Sequence, residues 1–216
     1  MSDFSNLDAL SFVIAVVVGI TIHEFAHAWM ANRLGDPTAR LEGRLTLNPV
    51  KHLDPIGTLV MVVLIFTAGL GFGWGRPVPV NPYNLKHKRG DMLVSLAGPF
   101  SNFILALFVA LTLALVPATV ISGWSSDFVN LIRIIISVNV ALGIFNLLPI
   151  PPLDGSKVLF SFLPPGRSEI RNFLERYSLI IFFFLIFFGL GILGYISRTL
   201  VGGILYLSNL INSLIY

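Results

Sequence analysis

Long apolar runs separated by short polar links dominate the chain. Five of them are long enough for membrane-spanning helices: Asp8 to Leu34, Asp91 to Val116, Phe128 to Leu148, Tyr177 to Ser197 and Leu200 to Tyr216. A sixth, Pro55 to Gly73, has a shorter apolar core. It runs into Gly69-Leu-Gly-Phe-Gly-Trp-Gly-Arg-Pro-Val-Pro-Val-Asn-Pro82, where glycines alternate with other residues and prolines follow. That tail cannot be helical.

The basic residues decide how these runs are threaded. Arg33, Arg40, Arg44 and Lys51 lie in the link after the first run, and Arg76, Lys86, Lys88 and Arg89 in the link before the second. Lys157, Arg167, Arg171 and Arg176 follow the third, whereas Pro117 to Asp127 holds no Lys or Arg. A full crossing by Pro55 to Gly73 would put the first two basic links on opposite sides, against the positive-inside rule. A segment that dips in and returns keeps all these charges cytoplasmic and the N-terminus outside. Irregular backbone at membrane depth is tolerated where protein or a water-filled cavity covers it.

Composition agrees. Of 216 residues, 55% are hydrophobic and only 12% charged, with a mean hydropathy of +0.85. Soluble domains carry about 25% charged residues. The expectation is an all-α polytopic membrane protein of five to six transmembrane helices, with a re-entrant or extended element between the first two motif-bearing helices. Residues 1–216 form one membrane-embedded domain, with a motif-bearing core over about 8–165 and C-terminal helices over 177–216. The net charge of +3 and pI near 9.4 come from loop residues that meet lipid headgroups. No basic cluster with interleaved aromatics points to nucleic acid. Without cysteine the chain has no disulfide, thiolate metal site or thiol nucleophile. Asp3 and Asp8 before the first run, and no basic n-region, do not fit a cleaved signal peptide.

Chemistry enters in the first run, where His23-Glu24-Phe25-Ala26-His27 interrupts the apolar stretch. Ionisable residues at membrane depth are costly and point to function. Positions i and i+4 share a helix face, so both imidazoles can reach one metal ion, and Glu24 can act as general base toward a water. The motif is short and also occurs in proteins that bind no metal; a His–Glu network joining helices is the structural alternative. A catalytic zinc takes three protein ligands. Asp36, Glu42, His52, Asp54, His87, Asp91, Asp127 and Asp154 are candidates for the third. Asp154 stands out, because it lies in Asn146-Leu-Leu-Pro-Ile-Pro-Pro-Leu-Asp154-Gly155, an apolar proline-broken turn with few cations nearby. The alternative is that it caps the helix starting near Ser156. His23 and His27 lie toward the cytoplasmic end of the first run and Asp154 just past that end of the third, so the basic links place them at similar depth.

With these motifs the chain resembles the site-2 protease family of zinc intramembrane metalloproteases, in its compact prokaryotic-type branch without a PDZ domain. The matching residues are His23-Glu24-Phe25-Ala26-His27, Asn146-x-x-Pro149-x-x-x-Leu153-Asp154-Gly155, Gly98-Pro99-Phe100-Ser101-Asn102, and Leu47-Asn48-Pro49-Val50-Lys51-His52-Leu53-Asp54-Pro55. They fall within about Thr21 to Leu159; the last two runs match nothing. The resemblance implies one Zn2+ held by His23, His27 and Asp154, with Glu24 as base and proton shuttle. It also implies hydrolysis of peptide bonds in membrane-spanning substrates, as in regulated intramembrane proteolysis; the basic links place the site toward the cytoplasmic side, and the membrane expected is the cell membrane.

The oxyanion of such a reaction needs neutral donors. Asn102 and Asn146 are candidates for substrate or transition-state contacts, with interhelical hydrogen bonding as the alternative. His52 is a possible support for a metal ligand, or orders its own turn with Asp54. His87 sits among Lys86, Lys88 and Arg89 as a surface residue. Trp74 and Tyr83 suit the membrane interface, and Ile180 to Phe188 suits lipid. Phe72 to Pro82 offers an extended edge on which a substrate can be held as an added strand. A competing function is a membrane ion or metal transporter using the His/Glu/Asp cluster as a transit site. Such folds show repeat symmetry and a continuous polar path, and neither is present in the sequence.

Overall fold

The computed structural model describes residues 5–68, 73–164 and 168–216. Gly69 to Phe72 of the glycine-rich tail and Arg167 of the third basic link lie outside the described residues. The helices are α1 (Asn6–Arg33), α2 (Thr38–Leu41), α3 (Pro55–Ala68), α4 (Gly90–Ala114), α5 (Ala118–Ile121), α6 (Ser126–Asn146), α7 (Asp154–Phe162), α8 (Ser168–Phe184) and α9 (Leu190–Ile215), with a π-helical stretch at Leu185–Gly189. The described residues are otherwise two short 3-10 turns (Pro49–Lys51 and Pro82–Asn84), loops and one isolated bridge, in keeping with the all-α expectation. Among them α1, α4, α6 and α9 are long and apolar enough to cross a membrane.

The centre is a bundle of α1, α4 and α6, each packed on the other two. Small side chains permit the close approach: Ala15 and Ala28 on α1 and Ala106 and Ala110 on α4 are fully buried. In lipid, where apolar surface drives no association, such close van der Waals packing holds helices together. Two apolar clusters result. Ala15, Val16, Met61 and Val138 join α1, α3 and α6, while Ala106, Ala110, Ile136 and Val140 join α4 and α6. Ser5 caps α1 in a reciprocal box with Asp8, whose carboxylate also takes the Asn130 amide of α6. That contact pins α1 to α6 at the end remote from the histidines.

The segment from Pro55 is a hairpin. Leu53 bridges Gly75 in antiparallel fashion, and the Arg76 N–H donates to the His52 carbonyl at 2.7 Å. The chain leaving α3 therefore comes back beside the residues that enter it. A Cβ on Gly57 would stand 2.3 Å from the Trp74 carbonyl, so the returning backbone lies against the first turn of α3 with no room for a side chain. The chain doubles back over this segment, as the re-entrant expectation requires.

The C-terminal part differs from expectation. Instead of two helices divided near Arg198, Ser168 to Ile215 is one unbroken helical rod through the π-helical stretch. At 1.5 Å per residue it is about 70 Å long, and Leu190–Ile215 is the part with span-like length and hydropathy. A single arginine does not stop a helix; Ser197-Arg198-Thr199 holds neither proline nor glycine, and Arg198 Nε donates to the Gly194 carbonyl one turn back. Its far end closes α4. Ser208 donates to the Ala110 carbonyl, Asn212 to those of Ala114 and Val116, and the Tyr216 hydroxyl to that of Leu115. The bonds to Ala114, Leu115 and Val116 satisfy carbonyls that the end of α4 would leave unpaired.

Candidate metal centre

His23 and His27 lie one turn apart on the inner face of α1, both 8% exposed. Asp154, the first residue of α7, meets them. Its Oδ2 is 3.1 Å from Nε2 of each histidine, and the two Nε2 atoms are 2.9 Å apart. Gly98 of α4 makes room: a Cβ there would come within 2.4 Å of His27 Nε2 and 2.6 Å of His23 Cε1. Gly155 does the same for Asp154, since a Cβ would stand 2.2 Å from the Leu147 carbonyl at the end of α6.

The hydrogen bonds behind the rings fix what the front can do. His27 Nδ1 is 2.7 Å from the Val94 carbonyl, an acceptor only, so Nδ1 carries the proton. His23 Nδ1 is 2.8 Å from Asn102 Oδ1. The orientation of that amide follows from its other end, because Asn102 Nδ2 donates to the Gly19 carbonyl at 3.1 Å and to Asn139 Oδ1 at 2.9 Å. His23 Nδ1 therefore donates as well. In the neutral rings both Nε2 lone pairs face forward, toward each other and toward a carboxylate oxygen. Three acceptors converge with no donor among them, an arrangement that a cation resolves. Two imidazole nitrogens and a carboxylate suit zinc, whose tetrahedral ligands lie about 3.3 Å apart at ordinary bond lengths. The donors here lie within a few tenths of an ångström of that spacing. His23, His27 and Asp154 are also the metal-capable group found among the described residues.

Glu24 points to another part of the site. Its Oε2 accepts the Val78 N–H at 2.8 Å, so the extended run after the hairpin reaches the carboxylate beside the first histidine. That run is held from outside the bundle. Arg44, 5% exposed, donates through Nη2 to the carbonyls of Arg76 at 2.6 Å and Pro77 at 3.2 Å. Burial, then the neighbouring Arg76, pulls the Arg44 guanidinium below its ordinary range. Asp36 secures the next stretch. Fully buried, it accepts the Asn81 N–H at 2.7 Å, the Asn84 amide at 3.0 Å and the Thr38 N–H at 3.1 Å. Burial opposes its charge, but the bonds from Asn84, Thr38 and Asn81 outweigh it and hold the carboxyl below the usual range.

The remaining sequence candidates separate. Asn102 is fully buried beneath His23 with both ends of its amide engaged, not on an open face. Asn146, half-buried at the end of α6, donates back to the Leu142 carbonyl of its own helix. The His52 ring bonds the Thr46 carbonyl at 2.7 Å, and its backbone carbonyl anchors Arg76; it orders its own loop and stands outside the ligand group. Asp54 accepts the Gly57 N–H at the start of α3. Asn139, Arg44 and Gly98 carry parts of this geometry that residue-by-residue reading did not assign. Asn139 and Arg44 had one visible signal each, an amide midway along an apolar run and a cation beside a glycine-marked turn.

Known proteins resemble this chain in sequence. A family model described as "Peptidase family M50" matches residues 116–189, a stretch that contains Asp154. The Bacillus subtilis protein named "Putative zinc metalloprotease YwhC" is 43% identical over 183 residues, covering 83% of this chain and 81% of that protein. The chain belongs to peptidase family M50. The Mycolicibacterium smegmatis protein named "Putative zinc metalloprotease Rip2" is 36% identical over 154 residues, 71% of this chain and 57% of its own length. The Escherichia coli "Regulator of sigma-E protease RseP" is 33% identical over 108 residues, 47% of this chain but 24% of RseP. No solved structure matches. Family membership makes the chain a peptidase, in line with the resemblance read from its motifs.

Proposed function

We propose that this M50 peptidase is a zinc-dependent intramembrane endopeptidase that cuts membrane-spanning substrates, with His23, His27 and Asp154 as metal ligands and Glu24 as general base. The observation that carries this reading is the convergence of three acceptors beside Glu24 with no donor to pair them. Zinc, when bound there, supplies a Lewis acid that polarises the scissile carbonyl and acidifies a water. The protein's own residues do the rest. Asn102 Oδ1 and the Val94 carbonyl hold the two Nδ1 protons, so each ring keeps its Nε2 lone pair toward the metal. Glu24 takes a proton from the attacking water on a carboxylate oxygen and returns it to the leaving amine. Beyond the Val78 N–H, backbone that neither Arg44 nor Glu24 engages continues through residue 80 and supplies an edge along which an unfolded substrate segment lies.

The site faces the cytoplasmic side of the cell membrane in this reading, since the basic loops flank it. Substrates are membrane proteins cut within or near the bilayer, as in regulated intramembrane proteolysis. Residues 1–216 act as one domain.

Glu24→Gln tests the proposal directly. Purified in detergent, it is expected to hold as much zinc as the wild-type protein and to leave a reconstituted membrane-spanning substrate uncut. Undiminished cleavage by Glu24→Gln would overturn the assignment of the base. Wild-type zinc content in His23→Ala or Asp154→Ala would overturn that of the ligands.

A further inference from the structure

We propose that Arg44 is a positioning residue for Glu24, acting through the single peptide group that joins Pro77 to Val78. The inference rests on the reading of Glu24 as the general base.

Arg44 comes from the loop after α2, far from the histidines in sequence. It is buried, and no carboxylate lies within ion-pair distance of it among the described residues. A buried guanidinium without a counterion is costly. Nη2 meets two backbone carbonyls instead, those of Arg76 and Pro77.

The Pro77 carbonyl and the Val78 N–H belong to one peptide unit. That unit is trans, because Pro151–Pro152 holds the one cis bond recorded among the described residues. In a planar trans peptide the C=O and N–H point in opposite directions. A cation therefore grips one edge, with Nη2 at 3.2 Å from the oxygen, and the Glu24 carboxylate grips the other at 2.8 Å from the nitrogen. Each contact polarises the peptide in the sense that strengthens its counterpart. Arg44 and Glu24 form a pair of opposite charges with one rigid plate between them, and rotation of the plate turns the carboxylate. Pro79 restricts Val78, the residue before it, to extended torsions, which limits rotation of the plate. The Glu24 oxygen that is not bound to Val78 is then presented in a fixed direction for proton transfer.

The test is steady-state kinetics of full-length variants with zinc content measured on the same samples. Arg44→Gln is expected to keep its zinc and to lose about 10- to 100-fold in kcat with little change in KM, the scale of a misaligned catalytic group. Arg44→Lys retains the charge and should recover part of the loss. Val78→Pro removes the N–H and should give a loss of similar size, and the double variant Arg44→Gln/Val78→Pro should be no worse than the poorer single one. Wild-type kcat in either single variant overturns the proposal. So does a loss confined to KM, which would assign Arg44 to holding substrate, or fully multiplicative losses in the double variant. If Arg44→Gln does not fold, Val78→Pro decides alone: wild-type kcat overturns the proposal and a selective kcat loss supports it. Glu24→Gln run alongside separates the two readings. If it cuts, the base assignment fails; if it is inactive while Arg44→Gln cuts normally, only the present inference fails.

Discussion

At the residue scale, the centre depends on positions that carry no chemistry. Gly98 is the clearest, because any Cβ collides with both imidazoles at once, and backbone at the centre of a packed bundle cannot retreat cheaply. Gly98→Ala is expected to abolish stoichiometric zinc binding while leaving the helical content intact, checked by metal analysis and circular dichroism. The ring-orienting amides should act more mildly. Asn102→Ala frees the His23 ring to change tautomer, and zinc affinity measured by chelator competition should fall about 10- to 100-fold. Asn139→Ala removes one of two bonds that orient Asn102 and should lower affinity by less. Equal affinity in all three proteins would detach these residues from the metal centre. That His23, His27 and Asp154 come together was legible in the sequence, because few residue types perform such chemistry and the spacing of the two histidines is constrained. The place of Asn102 was not. Its polarity at membrane depth announced a partner, but whether a helical side chain faces a substrate or a neighbouring ring depends on how α4 is rotated against α1.

At the scale of elements, the hairpin formed by α3 and the extended residues 73–81 brings backbone to the Glu24 carboxylate. Charge counting predicted its return, because placing basic loops on one side left no other path. What the charges could not tell was how the returning strand is held, since that depends on buried contacts from residues 36 and 44 that look like ordinary loop residues. Asp36 supplies a test with a defined sign. Its carboxyl lies below the ordinary value in the folded protein, so its contribution to stability is fully present above the unfolded value of about 3.9 and is lost as pH falls through the lower folded value. Asp36→Asn should cost about 1–3 kcal/mol at neutral pH. The difference in thermal midpoint between wild type and variant in detergent should shrink once the pH drops below about 4. A difference that stays constant from neutral to acid pH would mean that the charge on Asp36 does not hold this loop. The C-terminal rod was misjudged for a related reason. Hydropathy falls near Arg198 as it does between two spans, but a dip in hydropathy is not a helix stop, and no residue there breaks the backbone hydrogen bonding.

At the scale of the whole molecule, threading decides which compartment supplies substrate and water to the metal centre. The histidines lie toward the end of α1 that leads into the Arg33–Lys51 loop, and Asp154 follows the end of α6, so both strands of the site depend on α1 and α6 crossing in opposite directions. The return of the chain at Leu53 and Gly75 puts the loop before α3 and the loop before α4 on one side. The link through α5 then lies on the other side, near the C-terminal end of α9. The chain contains no native cysteine, so single substitutions report on this arrangement without background. Glu42→Cys and Tyr83→Cys sit on exposed positions flanking the hairpin, and Thr119→Cys on an exposed position of α5. In sealed, oriented vesicles an impermeant maleimide should label positions 42 and 83 from the same face and position 119 only from the opposite one. Were α3 to cross the bilayer completely, position 83 would label apart from 42, and position 119, one crossing further on through α4, would label together with 42. The run that reaches Glu24 would then enter from the far side, and the cytoplasmic placement of the centre would fall with the positive-inside argument that supports it.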